Sequence, residues 1–253
     1  MMNDYAAFVK ARDHFRDYAA ALAQNAPRLQ ELLTALVDAD YSGKYTVVRP
    51  VVYNESLDAV TATDTIKIIL VGDNPGRREQ ETGRYLIGPS GKLAENFFRA
   101  HPALGIDFRK NVLILNKTPI HTPRTADLKK VVVPSLLAAP PEIGNMAALI
   151  RQSQREMVAI LHRFYAALRP VKVWIVGYSE MRKGGLFAAY TNALFDTLPA
   201  EDIFLYRHFS MNQFLIDYND KAKRFALPAG PDGEWEVLRA IGEHYRDQIN
   251  SKR

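Results

Sequence analysis

Four short, almost wholly apolar runs separated by stretches of helical periodicity constrain this chain more than any other feature. Residues 66–71, 112–115, 171–176 and 203–206 are rich in Val, Ile and Leu and show no polar alternation. Strands buried on both faces belong to parallel sheets, and parallel neighbours need crossover helices between them. The intervening residues supply them: 91–100, 145–168 (stopped by Pro170) and 180–194 read as helices, and 233–248 follows as a last one. The expectation is a three-layer α/β/α fold with a short central parallel four-stranded sheet. Phe8, Phe15, Ala19 and Leu22 recur at helical spacing, and Pro27 opens a second helix carrying Leu29, Leu32, Leu33 and Leu36. Residues 1–44 therefore read as a helical extension of a single α/β domain whose core is 45–253. The β-branched residues 45–48 and 51–53, split by Pro50, predict an edge strand or a peripheral hairpin. Residues 117–144 form a long connection without clear periodicity, which inside a compact domain suggests a functional role.

Composition narrows the function classes. The chain has no cysteine, which excludes disulfides, thiolate zinc sites, iron–sulfur clusters and a cysteine nucleophile, and it fits a cytoplasmic protein. The longest aliphatic runs, 68–71 and 112–115, are too short to span a bilayer, and the N-terminal residues do not read as a secretory leader. Six histidines show no close ligand spacing, so no metal is expected. Residues 83–88 have the glycine spacing of a P-loop, but Pro89 and Ser90 stand where Lys and Ser/Thr are required, which argues against an NTPase. A net charge of +5 leans only weakly toward an anionic partner.

Each predicted strand ends in residues unsuited to a core. The first runs into Gly72-Asp73-Asn74-Pro75-Gly76, the second into Asn116-Lys117-Thr118-Pro119, the third into Gly177-Tyr178-Ser179, and the fourth into Arg207-His208-Phe209-Ser210. Ligands of open parallel sheets bind at the carboxyl ends of the strands, so these residues converge on one crevice if the strands share a sheet. The set suits a nucleobase. An amide such as Asn116 can donate and accept along a base edge, and a neutral His208 can donate to a base carbonyl. Asn74 can hold a water through its amide oxygen, with Asp73 supplying charge or acting as a base. Each feature also has a structural reading. Asn-Pro-Gly is a common turn, an Asn closing a strand often caps a loop, and a lone His after a strand often packs. Their joint order is the uncommon part.

Those motifs, together with Gly83-Arg84 through Gly88 and Gly91-Lys92-Leu93, resemble the uracil-DNA glycosylase superfamily over about residues 66–211. The resemblance implies a DNA glycosylase of the base excision repair type. It would hydrolyse the N-glycosidic bond of uracil or a related deaminated base in DNA as a monofunctional, monomeric enzyme with no metal or organic cofactor. It implies that Asn74 orients the attacking water, that Asp73 stands where the iron–sulfur branch carries Glu, that Asn116 reads the base, and that His208 stabilises its departing oxygen. Leu86 falls where relatives carry a stacking aromatic, with Tyr85 beside it as a replacement, and Phe209 stands where Pro is usual. Gly177 and Ser179 match a phosphate-gripping loop, Ser210 is expected among the DNA contacts, and Met211, Asn212 or Gln213 would supply the wedge that fills the gap left by a flipped base. Arg77, Lys117, Arg124, Arg182 and Lys183, with Arg78, Lys129, Lys130 and Arg207, are expected to contact phosphates. The alternatives are an inactive nucleic-acid binder of the same fold and a glycosidase of free nucleosides.

Overall fold

The computed structural model describes residues 4–132, 146–224 and 231–251. Four strands, β1 (Ile68–Gly72), β2 (Val112–Asn116), β3 (Lys172–Val176) and β4 (Ile203–Tyr206), pair in parallel in the order β2-β1-β3-β4. Every strand residue except Lys172 is buried, as a sheet covered on both faces requires. The chain moves from β1 to β2 on one side and then crosses back over β1 to β3 and β4. That reversal places a topological switch point at the carboxyl ends of β1 and β3, where such sheets bind ligands.

Leu70, Ile114, Trp174 and Phe204 lie in register and share one face of the sheet. Short helices α3 (Arg77–Thr82) and α5 (Phe108–Asn111) flank α4 (Pro89–Ala100) between β1 and β2, and α6 (Leu128–Val132) follows β2. Phe98 of α4 stacks on Trp174 at 5.9 Å. Helices α7 (Met146–Leu168) and α8 (Ala188–Thr197) pack on each other, with the Gln154 side chain accepting the Tyr190 N–H at 3.1 Å. After β4, α9 (Gln213–Arg224) and α10 (Pro231–Asn250) return to the Trp174 face, where Phe214 stacks and Trp235 meets the indole edge-on.

The N-terminal helices α1 (Tyr5–Asn25) and α2 (Pro27–Tyr41) belong to the same core. Asp4 caps α1 by accepting the Ala7 N–H at 2.8 Å, and Phe8, Ala11, Phe15, Ala19 and Leu22 form its buried stripe. Phe8 packs on Phe164 of α7 with ring centroids 5.4 Å apart. Among the described residues no helix is long and apolar enough to cross a membrane.

Two expectations are corrected. Residues 45–53 form neither strand nor hairpin, and their only ladder contact is a bridge between Val51 and Ile120. The Gln80 side chain takes the place of a strand partner, accepting the N–H groups of Val48 and Arg49 and donating to the Thr46 carbonyl. The helix expected over 180–194 begins eight residues late, at Ala188. Gly184 turns the chain with φ +74°, and Gly185 packs so close to the Glu180 carbonyl that a Cβ would sit 2.4 Å from it. Helices α3 and α9 were not anticipated. Of the connection 117–144, residues 133–144 lie outside the described residues, as does Asn145 at the start of the expected helix 145–168.

Because Phe8 is wholly buried, Phe8→Ala should cost about 3–5 kcal/mol. It should lower the urea midpoint of a single cooperative unfolding transition. An unchanged main transition, with only a minor early phase, would show that α1 is an appendage.

Candidate active site

The turn that leaves β1 is held from three sides. Glu79 of α3 accepts the Gly76 N–H at 3.0 Å and the Leu86 N–H at 2.7 Å, tying the Asn-Pro-Gly turn to the loop before α4. Burial pushes its carboxyl up to about 7, against the pull of those two donors. His121 is buried and donates from Nδ1 to the Pro75 carbonyl at 2.9 Å, while Tyr45 donates to its Nε2. Burial lowers its pKa to about 4, so it stays neutral. The Thr122 N–H adds a third hold on the turn, donating to the same Pro75 carbonyl at 3.3 Å.

These contacts fix which way the Asn74 amide points. Its Nδ2 donates to Thr122 Oγ1 at 2.8 Å, and Thr122 Oγ1 spends its own proton on the Arg124 carbonyl at 2.8 Å. The Thr122 oxygen must therefore accept from Asn74, and Nδ2 also lies 3.4 Å from the Ile120 carbonyl. A flipped amide would set acceptor against acceptor. Asn74 Oδ1 is left as an oriented acceptor.

Asp73 is joined to the ends of both neighbouring strands. Lys117, next after β2, reaches Asp73 Oδ1 with Nζ at 2.6 Å and the Val176 carbonyl at the end of β3 at 2.6 Å. Thr125 donates to the other carboxylate oxygen at 3.2 Å. Gly177 lies against the pair with φ +81°, and a Cβ there would come within 2.5 Å of Asp73 Oδ1, so glycine is required twice over.

Register places Asn116 directly beside Gly72, and a Cβ at residue 72 would come 2.5 Å from the Asn116 side-chain oxygen. Asn116 is buried, and its Nδ2 has no hydrogen-bond partner among the described residues. It lies close enough to the Tyr85 hydroxyl, which donates to the Val52 carbonyl at 2.5 Å, to oppose the rise that burial imposes on that hydroxyl's pKa. His208, just past β4, accepts the Ser210 N–H on Nδ1 at 3.1 Å, and the Ser210 hydroxyl lies 2.8 Å from the same nitrogen. With Nδ1 accepting, the proton of a neutral ring sits on Nε2. Burial lowers the His208 pKa from 6.5. Asp73 opposes that shift and Lys117 adds to it, so both lie within electrostatic reach of the ring.

Asp73, Asn74, Asn116 and His208 thus gather at the carboxyl end of the sheet, with Gly177 against Asp73. Lys117 corrects the expectation of a phosphate contact: it is 0% exposed and paired with Asp73, so it cannot reach a DNA backbone. Tyr85 and Leu86 are both buried. Leu86 has φ +48°, and its carbonyl accepts from Arg109 at 2.9 Å. Ser179, Arg77, Arg124, Arg182 and Lys183 are exposed. Met211 is 83% exposed, and both it and Asn212 have positive φ, at +55° and +57°. Three partly open hollows lie away from these residues: 390 Å³ beside Trp174 and Trp235, 600 Å³ between α1 and α7, and 280 Å³ at Asp217 and Tyr245. Sequence reading missed Glu79 and Thr122. The Glu three residues after Gly76 is the reach-back half of a capping box and was a legible signal, whereas nothing local marks Thr122.

Among the described residues no cluster of three His, Asp or Glu side chains is placed to hold a metal ion. No curated protein sequence matches the chain. The family model described as the uracil DNA glycosylase superfamily matches residues 60–215, which span the sheet, the first turn, Asn116 and His208. Match and architecture agree, and the chain belongs to the uracil DNA glycosylase superfamily.

Proposed function

We propose that the protein is a monofunctional DNA glycosylase that hydrolyses the bond between deoxyribose and uracil, or a closely related deaminated base. The observation that carries this reading is a pair of donors at the carboxyl ends of the two outer strands, β2 and β4: the unpartnered Nδ2 of buried Asn116 and the Nε2–H of His208. A buried donor without an acceptor costs about 1–3 kcal/mol, and a base carbonyl would relieve that cost. In this reading Asn116 pairs with the base edge and His208 with the oxygen next to the glycosidic nitrogen. As the C1′–N bond breaks, its electron pair stays on the base, and the His208 donor stabilises the anion. A water held by Asn74 Oδ1 bonds to C1′. Its proton passes to Asp73 and on to solvent, and the released base takes a proton from solvent. The exposed Met211 suits the gap left by the flipped base, and the exposed cations favour a polymer over a free nucleoside.

Oligonucleotides carrying uracil, hypoxanthine or xanthine, incubated with the protein and then treated with alkali, should be cut at the base that is accepted. No scission with any of them would overturn the reading. Asn74→Ala should lower the excision rate roughly 10²–10⁴-fold while barely changing DNA affinity. Parental rates in that variant would remove Asn74 from the mechanism.

Two further tests concern conditions. The working form of His208 is neutral and its pKa lies below 6.5, so kcat/KM should hold from neutral into mildly acidic pH and fall once the ring protonates. A rate that rises as the pH drops below 6.5 would assign the work to an imidazolium instead. Binding to a uracil-containing oligonucleotide should weaken steeply as salt rises, and affinity independent of salt would exclude phosphate contacts from the exposed cations.

A further inference from the structure

We propose that Lys117 is a positioning residue of this reaction: its buried ammonium locks the Asp73 carboxylate beside the water-holding turn and sets the charge felt at the His208 end of the crevice. The proposal rests on the glycosylase reading for its function, but its geometry stands independently. Lysine is almost never fully buried unless paired. This one has 0% side-chain exposure and is fixed by a carboxylate and a backbone carbonyl, each at 2.6 Å, with its ammonium 4.9 Å from the centre of the Phe187 ring. Three strand ends meet at one nitrogen: Asp73 after β1, Lys117 after β2 and Val176 closing β3.

The arrangement is unlike a structural surface pair. Removing two ions from water costs several kcal/mol each, and apolar residues of similar volume often stabilise a fold as well or better. A site that keeps the charges gains something else from them. Here that is orientation and field. Asp73 Oδ1 is committed to Lys117 and Oδ2 to Thr125, so the carboxylate cannot rotate away from Asn74. The charged groups acting on His208 are Asp73 from the β1 end and Lys117 from the β2 end, while Glu180, beyond β3, acts on Lys117. Burial is the main influence that disfavours protonation of the imidazole, and the Lys117 cation adds to it against Asp73, favouring the neutral Nε2 donor with Nδ1 engaged by Ser210.

The test uses Lys117→Gln and Lys117→Met in the full chain. Gln keeps an amide donor for Asp73 and Val176 but removes the charge, and Met removes both. His208 titration, followed by imidazole NMR, should move to higher pH in both variants, because the opposing cation is gone while Asp73 remains. The acid limb of kcat/KM should move with it. kcat should fall roughly 100-fold in the Met variant while DNA affinity stays near parental, since a misplaced group costs rate rather than binding. Should the single variants fail to fold, Asp73→Asn and Asp73→Asn/Lys117→Met carry the same comparison without a carboxylate. His208 should titrate lower in the variant that retains the lysine. Unchanged His208 titration in the folded variants, or loss of DNA affinity in place of kcat, would overturn the proposal. The NMR titration needs no substrate, so it can fail or succeed independently of whether any base is excised.

Discussion

The Asp73–Lys117 ion pair is the contact on which the rest of the site depends. It closes the carboxyl end of the sheet by joining the residues that follow β1 and β2 to the last carbonyl of β3. A parallel sheet leaves its strand ends as free carbonyls and loops, and nothing in the ladder decides how those loops lie against one another. A buried charge pair does, because neither ion can leave its partner without stranding the other in a medium that solvates it poorly. Gly177 shows how tightly the loops are drawn together. No residue with a Cβ fits beside Asp73, so the third strand end has to be glycine.

Around that pair, the Asn74 and His208 side chains are each oriented by a neighbour. Thr122 takes the Asn74 amide nitrogen because its own proton is already given to Arg124, and Ser210 takes His208 Nδ1 through a backbone N–H. What remains free is one acceptor and one donor, which in the proposed hydrolysis would hold the water and stabilise the leaving group. Preorganisation of this kind lowers a barrier because the dipoles need not turn as charge develops. Glu79 and His121 extend the same logic outward, clamping the Asn-Pro-Gly turn by its backbone so that the Asn74 side chain inherits a fixed origin.

The sheet was legible because apolar runs between helical stretches have few other solutions, and the site was legible because polar residues closed each run. Other features depend on long-range pairings that no local pattern announces. Residues 45–53 have strand composition, but Gln80, some thirty residues away, bonds the backbone of Thr46, Val48 and Arg49. Lys117 reads as a surface cation by every local rule, and only the register of β1 against β2 shows that it must meet Asp73. The late start of α8 follows from how closely Gly185 approaches the Glu180 carbonyl, a three-dimensional fact hidden inside an otherwise helical pattern.

The proposed chemistry requires a single base to meet Asn116 and His208 together. A crystal structure with DNA carrying a hydrolysis-resistant 2′-fluoro-deoxyuridine tests this most directly. The flipped uracil should place one carbonyl within hydrogen-bond distance of Asn116 Nδ2 and the other within reach of His208 Nε2, with Asp73 still paired to Lys117. A base bound elsewhere, with Asn116 Nδ2 still unpartnered, would contradict it.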